Sequence, residues 1–247
     1  MTEDVGHHFM RQTYYKNAQP SDQQKGLPQP PLMWEPTTED ITVNLPNPSD
    51  IQVPELDLRK AIEDRRTKRT YSEDHLTLEE LSYLLWSTQG IRDYAGTHAT
   101  LRTVPSAGAR HAFETYLLVN RVESLEPGLY RYAAKNHQLA VVETTSEVSK
   151  QLTEACLGQE QVKNSAVTFF WVADLYRMTY RYGQRGYRYL HLDAGHVCQN
   201  LYLVAGQLLC GVCAIAAFDD EAMTKSLGLD GKDYFVVYIA TLGKKKT

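Results

Sequence analysis

No stretch of this chain stays apolar for the ~20 residues that a bilayer-spanning helix needs, so no membrane role is expected. Its first residues, MTEDVGHHFMRQ, lack the basic stretch and apolar core of a secretory signal. Cysteine is scarce, with four residues in 247: Cys156, Cys198, Cys210 and Cys213. They are too few and too clustered for a disulfide framework, and a reducing cytoplasm is the expected compartment. Positive charge is not in excess either. With 26 Lys and Arg against 30 Asp and Glu, the chain carries a net charge of −4 and no broad footprint for nucleic acid or an anionic membrane.

Several chemical signatures are also missing. Neither GxGxxG nor a P-loop occurs, so dinucleotide-fold and P-loop assignments have no support. A GxSxG nucleophile elbow is absent as well. The pair Cys210–Cys213 has redox spacing, but LLCGVCAIAAF is apolar on both sides, whereas a reactive thiol needs an exposed, electropositive setting. Buried structural cysteines are the expectation. No second CxxC supplies a zinc site. In HLDAGH, His191 and His196 lie five residues apart, roughly 140° around a helix at ~3.6 residues per turn, which is poor for a metal pair.

What the chain does contain falls into two parts. Prolines 20, 28, 30, 31, 36, 46, 48 and 54 punctuate residues 1–55, which read as an extended arm with no core of its own. Trp34 and the pair Tyr14–Tyr15 suggest that this arm lies on a surface. Residues 56–247 read as the folded domain. Leu58, Ala61 and Ile62 share a helical face, and Thr77 with Glu80 forms a capping box ahead of a leucine stripe that Gly90 should stop. Strands are expected over 113–122, in a hairpin turning around 135–138, in VTFFWVADLYR and in DYFVVYIATLG. Helices are expected over 146–157, along the apolar stripe from Ala194 to Leu208, and after Asp219–Asp220. Helices and strands mix without regular alternation, which predicts an α+β fold.

Three segments carry chemistry. RRTKRTY packs Arg65, Arg66, Lys68 and Arg69 around Thr67, and guanidinium forks match phosphate oxygens. A second basic cluster, Lys244–Lys246, follows the last strand. In TVPSAGARHAFETYLL, Pro105, Ser106, Ala107, Gly108 and Ala109 are small enough to let the backbone approach something flat. Finally, YRYGQRGYRYLH interleaves tyrosine with arginine and can pack structurally or wall a pocket for a flat ligand.

Taken in order, RRTKRTY, LSYLLWSTQGI, RTVPSAGARHAFETYLL, PGLYRY, RYGQRGYRYLHLDAGHVCQNLYL and AFDD with LGLDG resemble the SagB-type branch of the nitroreductase-like flavoproteins, over roughly residues 57–243. The resemblance implies an FMN-dependent oxidoreductase with a central, mostly antiparallel sheet flanked by helices. It also implies an interlocked homodimer with flavins at the subunit interface. By that resemblance Arg65, Arg66, Thr67 and Arg69 would hold the ribityl phosphate or pyrimidine edge, and Lys244 and Lys245 would add a late phosphate contact. Pro105, Ser106, Ala107 and Gly108 would lie beside the isoalloxazine, often that of the other subunit. Residues 214–217 resemble the stretch facing flavin N5, although Ala216 and Ala217 stand where some relatives have glycine.

One departure concerns catalysis. Azoline oxidases of this branch carry an adjacent Lys-Tyr pair, and the matching position here is Arg181–Tyr182. Arginine stays protonated and cannot act as a general base. The expected reaction is therefore hydride transfer from NADH or NADPH through flavin N5 to a small organic acceptor such as a nitroarene or quinone. Oxidation of a peptide-derived or other natural-product intermediate, with Tyr182 moving the proton, is the alternative enzyme. A flavin-binding module without turnover is the non-enzymatic one.

Overall fold

The computed structural model describes residues 4–246. In chain order the elements are α1 (Val5–Gln12), β1 (Thr42–Asn44), α2 (Leu58–Asp64), α3 (Leu78–Gln89), β2 (Ile91–Ala95), β3 (Ala99–Arg102), β4 (Phe113–Val119), β5 (Gly128–Ala133) and β6 (Gln138–Glu143). They continue as α4 (Glu147–Ala155), α5 (Gln161–Asn164), β7 (Val167–Asp174), α6 (Leu175–Tyr182), α7 (Gly186–Gln207), β8 (Cys210–Ile215), α8 (Asp220–Ser226) and β9 (Tyr234–Lys244). Seven strands form one sheet in the order β1-β6-β5-β4-β7-β9-β8, each neighbour antiparallel, and β2 pairs with β3 as a separate hairpin.

Strands β4 and β7 are buried along their whole length, which explains why their sequences, FETYLLV and VTFFWVAD, are apolar with little alternation. Alternation reappears in where the side chains go. Leu117, Phe169 and Trp171 join one core cluster with Leu81, Leu84 and Leu85 of α3 and Leu190, Val197 and Leu201 of α7. Leu118, Phe170 and Val172 join the other, with Val148 and Leu152 of α4 and Met223 of α8. A one-residue slip between β4 and β7 would exchange these two sets, so burial fixes the register at Leu117 opposite Phe169. The result is a three-layer α+β domain with helices on both faces of an antiparallel sheet.

Local signals set most boundaries. Both halves of the capping box form at α3: the Thr77 hydroxyl accepts from the Glu80 backbone N–H, and the Glu80 carboxylate accepts from the Thr77 N–H. Gly90 ends that helix for a reason of space, since its φ is −60° and an added Cβ would lie 2.4 Å from Trp86 Cδ1. The expected strand 113–122 stops at Val119. The apolar run VTFFWVADLYR leaves the sheet at Asp174, whose carboxylate accepts from the Arg177 N–H and starts α6, a helix that the run itself conceals. The long helix α7 begins at Gly186, ahead of the apolar stripe, and the β2–β3 hairpin has no counterpart in the sequence-based reading.

Residues 4–55 lie along the domain. Within them α1 is helical and β1 extends the sheet by pairing with β6. The Trp34 N–H donates to Glu114 at 3.1 Å, and its ring lies 4.1 Å from the Arg131 guanidinium. Glu114 is buried between Arg177 at 2.5 Å and Arg131 at 3.5 Å. Burial pushes its pKa up, but Arg177 and then Arg131 outweigh that, and the carboxyl sits below its ordinary value.

Candidate active site

The basic segment after α2 runs beside β8. Thr67 bridges to Val212, and the Lys68 N–H donates to the Val212 carbonyl at 2.9 Å. An extended backbone sends alternate side chains to opposite sides, which divides the cluster. Arg66 and Lys68, together with Arg65 and Lys245, line a cleft of about 660 Å³ between α2, α7 and β8. Thr67 instead meets the Tyr202 hydroxyl at 3.3 Å, and the Arg69 charge acts on the Cys213 thiol. Tyr202 ties the arrangement together. Its hydroxyl accepts from the Ala214 N–H at 2.9 Å, and the Arg65 guanidinium sits 5.4 Å from its ring centre.

The two late lysines differ. Lys244 is partly buried and bonded to Glu80 and to the Leu208 carbonyl, so its charge is committed to the N-terminus of α3. Lys245 is exposed at the cleft. Five cations, Lys60, Arg65, Arg66, Lys68 and Lys245, face three carboxylates, Glu55, Asp57 and Asp64, around this cleft. That donor set, with the aromatic wall of Tyr202, fits a phosphorylated ligand with a planar part. Ala216 and Ala217 are exposed in the loop beyond β8, and the Ala217 carbonyl accepts from Gln159 at 2.8 Å.

The small-residue loop is built from a different partner. Asp193 of α7 is buried, and its carboxylate accepts from the Ser106 hydroxyl at 2.6 Å and from the Ala107 N–H at 3.2 Å. Ser106 also accepts from the His111 N–H at 2.9 Å, so its hydroxyl holds the loop's shape. Burial raises the Asp193 carboxyl above its ordinary value against the lowering pull of the Ser106 and Ala107 bonds. Neither His191, bonded to the Tyr187 carbonyl, nor Asp193 is arranged as a metal ligand, and no cluster of metal-ligating side chains occurs among the described residues.

Gly108, Ala109 and His111 have φ of 57°, 52° and 43°, three left-handed residues within four positions. Such clustering of strained backbone is a mark of functional loops. At Gly108 the requirement is also steric. A Cβ there would lie 2.4 Å from the Tyr182 hydroxyl and 2.9 Å from Arg181 Cδ and Nε. The loop and Arg181–Tyr182 are therefore one site, although the sequence presents them as two separate segments. Tyr182 packs edge-on against Tyr189, with ring centres 4.8 Å apart. Asp193, which links the loop to α7, lies in the metal-like string HLDAGH, and its spacing there gives no hint of that bond.

Along α7, Asp193 and Tyr202 are nine residues apart, or about 14 Å at ~1.5 Å per residue. The loop and the cationic cleft thus meet one helix about two and a half turns apart. The cysteines bring no reactive thiol to either site, although Cys210 lies in the wall of the cleft. All four are buried, and burial pushes the Cys210 and Cys198 thiols up to about 12, which removes the thiolate needed for redox chemistry.

Comparison with known proteins agrees with this architecture. A protein of Methanocaldococcus jannaschii named "Putative nitroreductase MJ1384" is 35% identical over 188 residues, which cover 75% of this chain and 91% of that protein. The trifolitoxin-processing protein TfxB of Rhizobium leguminosarum bv. trifolii is 33% identical over 129 residues, spanning 51% of this chain but only 35% of TfxB. The crystal structure of a "putative nitroreductase" from Anabaena variabilis superposes with a TM-score of 0.70 at 33% identity, covering 85% of this chain and 42% of that one. The family description "Nitroreductase family" matches residues 62–244, which take in the main sheet except β1 and most of both sites just described. The chain belongs to the nitroreductase family.

Proposed function

We propose that this protein is an FMN-dependent oxidoreductase of the SagB-type branch, acting as a homodimer. The observation that carries this reading is the cleft in which Arg65, Arg66, Lys68 and Lys245 surround the Tyr202 wall. Arg65, Arg66 and Lys245 would hold the phosphate end by charge-assisted hydrogen bonds, each worth ~1.5–3 kcal/mol. When bound, FMN supplies reversible two-electron chemistry, accepting and giving a hydride. The chain's residues bind, orient and manage protons. Gly108 leaves room for the Tyr182 hydroxyl beside the loop, where it can donate a hydrogen bond or a proton to a substrate. Arg181, permanently charged, places positive potential next to it.

The net reaction is transfer of a hydride from NADH or NADPH, plus one proton, to a quinone or nitroarene. Tyr182 or water provides the proton. A homodimer is favoured by the ~14 Å between loop and cleft along α7 and by the exposed face of that helix, which includes Leu192 at 60% exposure. One subunit's loop can then complete its partner's cleft. The second reading, oxidation of a peptide, is favoured by the likeness to the trifolitoxin-processing protein. It has to work without a lysine base at position 181.

Released chromophore tests the assignment. The purified protein is expected to be yellow and to release FMN on heating, and Arg65→Ala with Arg66→Ala should lower FMN affinity at least tenfold. A protein that stays colourless after incubation with FMN would overturn the reading.

A further inference from the structure

A second cavity, of about 800 Å³, lies between residues 5–25 and the α6–α7 corner. Tyr182, Thr179 and Gln184 line it from the domain, and Phe9, Asn17 and Ala18 line it from the N-terminal segment. Tyr182 therefore faces the loop at Gly108 and also borders this chamber. The covering segment is fastened on both sides. Arg188 donates to the Thr13 hydroxyl at 2.6 Å and to the Met10 carbonyl, and Arg185 donates to the Thr13 carbonyl at 2.7 Å. Further along, the Gln23 N–H donates to the Tyr180 carbonyl at 2.9 Å, and the Tyr180 hydroxyl donates to the Leu27 carbonyl at 3.0 Å. All of this cover lies outside residues 62–244, the part matched by the family.

The lining has a definite chemical character. Lys25 is paired with Asp22 at 3.1 Å, and Arg185 is spent on Thr13 and on the Tyr189 hydroxyl at 2.7 Å. What remains toward the cavity is mostly amide, hydroxyl and aromatic surface from side chains such as Gln12, Asn17, Tyr176 and Gln184, with the His8 imidazole and the Asp22 carboxylate beside them. The volume is in the range that encloses a drug-sized molecule. An anion entering here would shed water without gaining an unengaged lysine or arginine, whereas a neutral amide or hydroxyl exchanges hydrogen bonds evenly.

We propose that this chamber is a substrate subsite, built by the N-terminal segment, that takes an uncharged ring-bearing group with amide or hydroxyl functions and presents it to Tyr182. The inference rests on the proposed redox reading only for the reaction at Tyr182, since binding is read here without turnover. The probes are N-acetyl-tyrosinamide and N-acetyl-tyrosine, which differ only in an amide replaced by a carboxylate. Calorimetry with the FMN-loaded, full-length protein should show the amide binding at least tenfold more tightly than the carboxylate, a difference of about 1.4 kcal/mol. Ala18→Trp, which fills the chamber from the cover, should weaken the amide at least tenfold with FMN content unchanged. Arg188→Ala should weaken it too, and should speed amide hydrogen exchange in α1. Equal binding of the two probes, no binding of either, or indifference to Ala18→Trp would overturn the proposal. Exchange in α1 that ignores Arg188→Ala would overturn the fastening. Simple benzoquinone turnover by the unaltered protein is measured alongside, and its failure would count against the redox reading alone.

Discussion

A side chain as small as a methyl group decides whether Tyr182 can stay where it is. Gly108→Ala places a Cβ on the Tyr182 hydroxyl and also forces alanine into a left-handed conformation that costs ~1–2 kcal/mol. The expected result is a lower melting temperature and a fall in kcat of tenfold or more, with FMN content retained. Equal kcat in the variant would remove Tyr182 from the reaction. Asp193 sets the same loop from below, and Asp193→Ala should destabilise by ~1–3 kcal/mol by stranding the Ser106 hydroxyl and the Ala107 N–H. The buried His111 and the half-buried His137 give a pH signature. Burial, with Arg102 adding to it, holds His111 down to about 3, and burial holds His137 down to about 4. Below an unfolded value near ~6.5 the unfolded chain takes protons that the folded chain refuses. Stability should therefore fall as pH drops from about 6.5 toward about 4, and urea midpoints at pH 7 and pH 5 measure it. Ordinary carboxylates titrate near ~4, at the bottom of that window, and leave most of it to histidine.

The last strand and the helices around it divide labour between two neighbouring lysines. Lys244 is bonded to Glu80, the residue that closes the capping box of α3, whereas Lys245 points to the cleft. Lys244→Ala should lower the melting temperature with little change in FMN affinity, and Lys245→Ala should do the reverse. Thermal scans and flavin titration of the two variants separate them, and identical behaviour would show that the division is wrong. The same elements show which features are legible in the sequence. Charge density in RRTKR and the run of small residues at 105–109 are local, so the string of letters is enough to reveal them. The capping box is equally visible. The bond from Asp193 to Ser106 spans 87 residues, and the collision between Gly108 and Tyr182 spans 74, so no window on the chain could reveal either. Helix α6 is hidden because VTFFWVADLYR stays apolar through the Asp174 cap, where one hydrogen bond changes strand into helix.

Across the whole molecule, the proposed homodimer would make the two halves of the candidate site depend on a second copy. If loop and cleft meet between subunits, the flavin-loaded form should sediment as a dimer at micromolar concentration, and dilution should release FMN and subunits together. A monomer that keeps its flavin would refute this. Size and oligomer aside, the placement of the N-terminal segment has a consequence in time. Its fastenings join Thr13 to Arg188 across 175 residues, Leu27 to Tyr180 across 153 and Trp34 to Glu114 across 80. A ribosome releases the segment long before it releases those partners, and contacts across such separations carry a loop-closure cost that local contacts do not. The N-terminal segment is therefore expected to lock down late on the folded domain, and in pulse-labelling its amides should gain protection after those of β4 and β7.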